Sequence, residues 1–222
     1  MTDPVSGRHR PKIALVNPNT SAGTTAEMVE IAAEAVPDAD IVGVTAPYGA
    51  GMITDEAQLA TGAEAVVSLG RSVFEGCAGV IVAAFGDPGL EGLREKLSVP
   101  VVGIAEAGMA AAARDGRRFS VVTTTPDLVK AIERRAARYG LGDRLVSVRL
   151  TEGPLAETMA DPALLVERLG NAIDLAIAED GAEAIVIGGG PLAVAARTLA
   201  PRVTVPLIEP VPQAARMLVS LL

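Results

Sequence analysis

Short polar and glycine-rich turns follow several buried apolar runs, and they are the places where this sequence could do chemistry. Hydroxyl, amide and backbone N–H groups at helix N-termini can donate hydrogen bonds to a carboxylate or imide oxygen without adding charge. As an alternative, the Asn, Thr and Ser residues only cap the helices that follow them. Because turns from both halves of the chain converge, we favour a binding role for Asn17, Asn19, Thr20, Ser21, Ala84, Phe85, Gly86, Thr123, Thr124, Thr125, Gly188, Gly189 and Gly190.

An alternation of strands and helices must position these turns. Short apolar runs predict strands at 12–16, 41–45, 79–84, 99–104, 119–123, 145–150, 184–187 and 203–208. Apolar residues at three- and four-residue spacing predict helices at 23–35, 58–74, 106–114, 126–139, 162–179 and 212–222. Several strands are apolar throughout, which is typical of parallel sheets covered on both faces. The pattern therefore predicts an α/β fold, with ligands bound beyond the carboxyl ends of the strands.

An internal repeat indicates two related lobes. Segments 78–108 and 182–214 each contain a buried strand, a Gly/Pro-rich turn, a helix, a Val-Pro pair and a second strand. Segments 12–23 and 119–128 each contain a strand, a polar turn and a helix start. We therefore predict two pseudo-symmetric Rossmann-like lobes with mainly parallel sheets and an active-site cleft between them. The predicted boundaries are 1–115 plus 205–222 for lobe 1, and 116–204 for lobe 2.

Composition excludes several classes of function. The 222 residues carry a formal net charge of −8 and only 2% aromatic residues, which argues against a nucleic-acid surface. The single Cys77 excludes an intramolecular disulfide framework, and the single His9 excludes a multi-histidine metal site. The Gly188–Gly190 triplet lacks the spacing of a nucleotide fingerprint. With no secretory signal and no long apolar span, we expect a cytoplasmic protein without membrane contact.

Five motifs resemble the Asp/Glu/hydantoin racemase superfamily, with its hydantoin and allantoin racemases as the nearest branch. They are NPNTS (17–21), AAFGDPGL (83–90), VTT (122–124), ARYGL (137–141) and IVIGGGPLA (185–193). They span nearly the whole chain in the order of the family. The resemblance implies a two-lobed fold with the active site between the lobes, a small-molecule substrate, no cofactor or metal, and a homo-oligomer.

The resemblance also implies two catalytic cysteines, one from each lobe, acting as base and acid on opposite faces of a substrate Cα. The positions that match them here are Ala84 and Gly189. Cys77 precedes the third strand, so we predict that it is a buried structural thiol rather than a substitute. The two-thiol mechanism is therefore not expected in this chain.

Four other residues are candidate acids or bases for an enolate-like reaction, such as isomerisation, decarboxylation, a lyase reaction or ring opening. They are Asp87, Glu106, Glu209 and Tyr48. Asp87 could instead bond the local backbone of its turn, and the two glutamates could merely cap helices. A substrate-borne or water-mediated acid is another alternative. The protein could also be a non-catalytic binder of a small carboxylate or ureide.

Two charged segments are predicted to be structural. Thr54 is predicted to cap a helix whose dipole Asp55 and Glu56 complement. The ERRAAR run, 133–138, is predicted to be a solvated helix face.

Overall fold

A computed structural model describes residues 10–222 of the protein, and His9 with the rest of the N-terminal tail lies outside the described residues. The described chain forms two four-stranded sheets in which all paired strands are parallel. The first contains β1 (Lys12–Asn17), β2 (Asp40–Thr45), β3 (Gly79–Val82) and β4 (Val101–Gly103). The second contains β5 (Phe119–Thr123), β6 (Leu145–Leu150), β7 (Ala184–Ile187) and β8 (Leu207–Ile208).

The two sheets have the same topology. Their strand orders are β2-β1-β3-β4 and β6-β5-β7-β8, so each strand has a counterpart in the other sheet. The inner strands β3 and β7 are buried along their whole length, as their apolar sequences GVIV and AIVI predict. The predicted α/β fold with two pseudo-symmetric lobes is confirmed.

Helices connect the strands of each sheet. Those that follow the first four strands are α1 (Ala22–Ala35), α2 (Glu56–Ser68), α3 (Leu90–Lys96) and α4 (Ile104–Ala112). The remaining ones are α5 (Val129–Arg138), α6 (Leu155–Ala160), α7 (Pro162–Ala178), α8 (Ala193–Leu199) and α9 (Pro210–Val219). The predicted helix 58–74 ends earlier, because Gly70 separates α2 from a 3₁₀ turn at Arg71–Phe74. No periodicity predicted α6, which has only six residues.

The chain returns from the second lobe to the first after β8. β8 pairs with β7, so Leu207 and Ile208 belong to the second sheet, whereas the sequence assigned 205–222 to lobe 1. α9 then packs against α1 and α4. Its Leu218 lies against Gly79 at the start of β3, where an added Cβ would come within 2.8 Å of the leucine side chain.

Cys77 is buried in the apolar cluster that also contains Phe74 and Val80. It lies just before the amino end of β3, whereas Ala84 follows the carboxyl end of the same strand. Within residues 10–222, no helix is long and apolar enough to cross a membrane.

The N-cap of α2 differs by one residue from its prediction, and the helix begins two residues earlier than predicted. Asp55, not Thr54, is the N-cap, and its Oδ1 accepts a hydrogen bond from the Gln58 backbone N–H at 2.8 Å. Because the helix begins at Glu56, the residue directly before it has the capping geometry. The Thr54 backbone N–H and hydroxyl instead donate to the Gln58 side chain.

Candidate active site

A pocket of about 70 Å³ lies at the carboxyl ends of the strands and takes its lining from both lobes. Its size suits a small molecule, since one water needs roughly 10–15 Å³ by a comparable measure. Predicted binding residues that line it are Asn19, Ala84, Phe85, Thr123, Thr124, Thr125, Gly188, Gly189 and Gly190. Asn17, Thr20, Ser21 and Gly86 are not part of the lining.

The lining repeats the symmetry of the two sheets. Ala84 lies two residues beyond the end of β3, and Gly189 lies two residues beyond the end of β7. Asn19 and Thr125 likewise lie two residues beyond the ends of β1 and β5. Equivalent turns of the two lobes therefore supply equivalent positions of one pocket.

In the first lobe, Asn17 shapes the turn and Asn19 faces the pocket. The buried Asn17 Nδ2 lies 2.8 Å from Asn19 Oδ1, and Asn17 Oδ1 accepts the Asn19 backbone N–H at 3.1 Å. Asn19 Oδ1 also accepts the Ser21 backbone N–H at 2.9 Å. Asn19 Nδ2 makes no hydrogen bond to any described residue, so it is the group that Asn19 can offer to a ligand. Ser21 itself caps α1 through Thr24.

In the second lobe, three threonines play the corresponding part. Thr123 Oγ1 lies 3.1 Å from Thr125 Oγ1 and 3.3 Å from the Gly188 carbonyl oxygen. Because Thr123 donates its single proton to the Gly188 carbonyl, Thr125 donates to Thr123 Oγ1, and Thr125 Oγ1 can still accept a hydrogen bond from a ligand. The Thr124 side chain lines the pocket and makes no hydrogen bond within the described part of the chain.

Backbone donors add to these side chains. The N–H groups of Ala83 and Gly188 still bond to the neighbouring strands, each at 2.8 Å. The next two N–H groups in each turn, those of Ala84 and Phe85 and of Gly189 and Gly190, make no hydrogen bond among residues 10–222. Because unpaired N–H groups at a partly buried site favour an acceptor, these four suit a ligand oxygen.

Apart from Thr24, whose hydroxyl donates to Ser21 Oγ at 2.9 Å, the rest of the pocket is apolar. Met52 comes from the segment after β2, and Met159 comes from α6 after β6, so the edge strands of both lobes are followed by a lining methionine. The other apolar side chains in the lining are Met28, Ile53, Leu128, Pro191 and Leu192. No Asp, Glu, His, Cys, Lys, Arg or Tyr of the described residues belongs to the lining.

Asp87 is buried behind the pocket. Its carboxylate accepts the backbone N–H groups of Ala105 and Glu106, each at 2.8 Å, and the Tyr139 hydroxyl at 2.5 Å. Burial raises the pKa of Asp87 to about 6, although the hydrogen bonds and the Arg135 charge act in the opposite direction. The sequence offered the alternative that Asp87 bonds the backbone of its own turn. The carboxylate does bond backbone N–H groups, but they belong to the start of α4.

The other three candidate acids also lie outside the pocket. Glu106 pairs with Arg94 at 2.7 Å, and Glu209 pairs with Arg197 at 2.9 Å. These two ion pairs occupy corresponding places in the two lobes. The repeat therefore does place the glutamates symmetrically, but each one pairs with an arginine and neither faces the pocket. Tyr48 is 44% exposed and makes no hydrogen bond in the part of the chain that the structure describes.

Sequence reasoning missed the role of α5 and the residue after it. The run 133–138 was expected to be solvated, yet the Arg135 side chain is only 18% exposed. Arg135 donates to the Gly86 carbonyl at 2.6 Å, the Asp87 carbonyl at 3.0 Å and the Glu91 carboxylate at 2.5 Å. The only sequence signal was that Tyr139 lies in the ARYGL motif.

The described residues contain no group of three or more His, Cys, Asp or Glu side chains that could hold a metal ion.

Comparison with known proteins identifies the family. Residues 13–218 match the family model described as Asp/Glu/Hydantoin racemase. The chain belongs to this family. It is similar to the hydantoin racemase of Rhizobium meliloti, with 34% identity over 214 residues, which cover 95% of this chain and 88% of that protein.

Solved structures agree with the family assignment. The allantoin racemase of Pseudomonas fluorescens is 36% identical, with a TM-score of 0.88 over 95% of this chain and 90% of that one. Arylmalonate decarboxylase has a TM-score of 0.63 at 21% identity, covering 95% of this chain and 92% of that one, and shares the fold. The α/β fold with two parallel four-stranded sheets thus agrees with membership of the Asp/Glu/hydantoin racemase family.

Proposed function

We propose that this member of the family binds a small carboxylate, amino-acid derivative or cyclic ureide in the pocket and does not racemise it by a two-thiol mechanism. The observation that carries the proposal is the composition of the lining. Donors from both lobes surround the space, yet Ala84 and Gly189 stand where the family resemblance implies cysteines, and no ionisable side chain of the described residues lines it.

The donors fit oxygen-rich ligands. Asn19 Nδ2, the Thr124 hydroxyl and the four unpaired N–H groups can donate to a carboxylate or to the carbonyls of a ureide ring, and Thr125 Oγ1 can accept a ureide N–H. Removing a Cα proton needs a base within hydrogen-bond reach of that proton, and racemisation needs an acid on the opposite face. Asp87, Glu106, Glu209 and Tyr48 all lie outside the lining, so none of them supplies such a group directly.

The unpaired N–H groups favour a second candidate function, an enolate-forming reaction that needs no protein base. In a decarboxylation, the Cα–CO₂ bond breaks, its electron pair becomes an enolate held by the N–H groups, and water supplies the proton to Cα. A lyase reaction that breaks another bond at Cα in the same way belongs to this candidate, whereas isomerisation and hydrolytic ring opening would need a base supplied by water or by the substrate. The proposal keeps the homo-oligomer, the cytoplasmic location and the independence of cofactors that the sequence predicts.

Ligand binding and turnover can be measured on the same samples. Hydantoin, allantoin and small malonates are titrated against the protein by thermal shift and calorimetry, and then incubated with it in D₂O. We expect at least one of these compounds to bind, with a stabilisation of about 2.7 kcal/mol at a concentration of 100 Kd. We also expect the starting compounds to gain no deuterium at Cα beyond what they gain in buffer alone. A product formed without Cα exchange in the starting compound would favour the enolate candidate.

A matched pair of variants locates the binding. Thr124→Val removes a hydroxyl from the lining, whereas Thr20→Val removes one from an exposed turn outside it. We expect the first change to weaken binding about tenfold, as loss of one hydrogen bond does, and the second to leave it unchanged. Rapid Cα deuteration by the unmodified protein, or equal effects of the two changes, would contradict the proposal.

A further inference from the structure

The turn after β3 is held from outside its own lobe. The residues that hold it are Arg135 and Tyr139, which belong to α5 and its C-terminal end in the second lobe. Arg135 donates to the carbonyls of Gly86 and Asp87, and Tyr139 donates to the Asp87 carboxylate. The same turn begins with Ala84 and Phe85, which line the pocket.

The backbone of this turn needs such support. Gly86 has φ +110°, Asp87 has φ +50° and Gly89 has φ +83°, so three of four consecutive residues lie in the left-handed region. A non-glycine residue there is uncommon and persists where the surroundings determine its conformation. The two Arg135 bonds and the Asp87 carboxylate bonds are those surroundings.

The Asp87 carboxylate also connects the turn to α4. It accepts the N–H groups of the second and third residues of that helix, and it lies so close to Gly103 that an added Cβ would be 2.1 Å from Asp87 Cγ. One carboxylate therefore joins the turn after β3, the N-terminus of α4 and the Tyr139 hydroxyl of the second lobe.

We propose that Arg135 and Tyr139 are positioning residues, which use the docking of the second lobe to fix the Ala84–Phe85 wall of the pocket in its binding conformation. They contact the turn and not the pocket, so they act on a ligand only through the turn. The inference rests on the proposed function in taking this pocket as the ligand site. If the contacts of Arg135 and Tyr139 with the turn were lost, the Ala84–Phe85 side of the pocket would therefore change before the rest of it.

The test measures amide hydrogen exchange by NMR on the full chain without ligand. Asp87 N–H and Leu90 N–H report on the turn, because they bond to the Ala84 and Asp87 carbonyls at 3.0 and 3.3 Å. Ala83 N–H and Gly188 N–H report on the two sheets. With Tyr139→Phe, we expect exchange at Asp87 and Leu90 to become at least tenfold faster, with the two sheet amides unchanged.

Matched variants separate positioning from general destabilisation. Tyr48→Phe removes the hydroxyl of the exposed tyrosine, and Arg134→Gln removes an exposed arginine next to Arg135. Neither is expected to change exchange in the turn, whereas Arg135→Gln is expected to act like Tyr139→Phe. If Arg135→Gln fails to fold, Tyr139→Phe still decides, since it deletes a single hydroxyl. Unchanged exchange at Asp87 and Leu90, or equal acceleration at all four amides, would overturn the proposal.

A binding measurement follows for whichever of hydantoin or allantoin binds. Tyr139→Phe is expected to raise its Kd at least fivefold relative to Tyr48→Phe. An unchanged Kd alongside faster exchange in the turn would overturn the positioning role. Failure of both compounds to bind the unmodified protein would count against the proposed function, whereas the exchange result without ligand would still test the contact between the lobes.

Discussion

The turns after β3 and β7 are equivalent in topology but are held in different ways. The first has Asp87, Arg135 and Tyr139 around it, whereas the only side-chain hydrogen bond to the second, within the described residues, is that of Thr123 to the Gly188 carbonyl. The first turn is fixed by long-range polar contacts and left-handed backbone. The second consists of three glycines and a proline. The duplicated fold thus combines a turn after β3 that is held by several side chains with a turn after β7 that is held by one.

The largest effect is expected where the held turn meets α4. Gly103→Ala would place a Cβ against the Asp87 carboxylate, which is held there by hydrogen bonds from Ala105, Glu106 and Tyr139. We expect a loss of about 3 kcal/mol in the free energy of unfolding, at the upper end for overpacking. Urea denaturation measures it, and a loss below about 1 kcal/mol would mean that the turn yields easily.

The pH dependence of stability tests the burial of Asp87. Its folded pKa of about 6 exceeds the ordinary value of 3.8, so the folded state binds more protons between these values. The stabilising contribution is therefore complete below about pH 4 and is lost as pH rises through about 6. At 1.36 kcal/mol per pKa unit, the change is about 3 kcal/mol as an upper figure.

The control for this prediction is Asp87→Asn, which cannot titrate. Other carboxylates titrate in both proteins, so the difference between the two unfolding free energies isolates Asp87. Between pH 4 and pH 7, we expect the free energy of unfolding of the unmodified protein to fall relative to that of Asp87→Asn. A difference that stays constant, or shifts the other way, would contradict the effect of burial.

Alanine at one glycine of each turn compares the two backbones directly. Gly86→Ala puts a side chain at φ +110°, and we expect a cost of about 1–2 kcal/mol. Gly189 has φ 168°, which any residue adopts, and an added Cβ would meet no atom closer than 3.9 Å. Gly189→Ala should therefore change stability by less than about 0.5 kcal/mol. Equal costs in thermal or urea unfolding would remove the difference between the turns.

The smallest effect concerns the single hydroxyl that supports the second turn. Thr123→Val removes its bonds to Thr125 and the Gly188 carbonyl, and we expect a loss of about 1 kcal/mol. Amide exchange at Leu192, whose N–H bonds to the Gly189 carbonyl, should become faster. Unchanged exchange at Leu192 would show that the turn after β7 keeps its conformation without the Thr123 hydroxyl.

The sequence predicted the parts of this molecule that depend on local pattern. Apolar runs located the strands, the repeat predicted the two lobes, and the polar turns after β1, β5 and β7 contributed much of the pocket. The contacts around Asp87 could not be predicted this way, because Tyr139 and Arg135 lie 52 and 48 residues further along the chain. Periodicity indicates which face of a helix is buried but not which distant residue it meets.

The central proposal is that this pocket binds a small oxygen-rich ligand but has no pair of side chains that transfer protons to and from it. Its most direct test is the double change Ala84→Cys and Gly189→Cys, measured as deuterium incorporation at Cα of a 5-substituted hydantoin in D₂O. The open space and extended backbone at Gly189 allow the new side chain. We predict exchange only in the double variant. Equal exchange by the unmodified protein, or a folded double variant that binds the hydantoin without exchange, would contradict the claim.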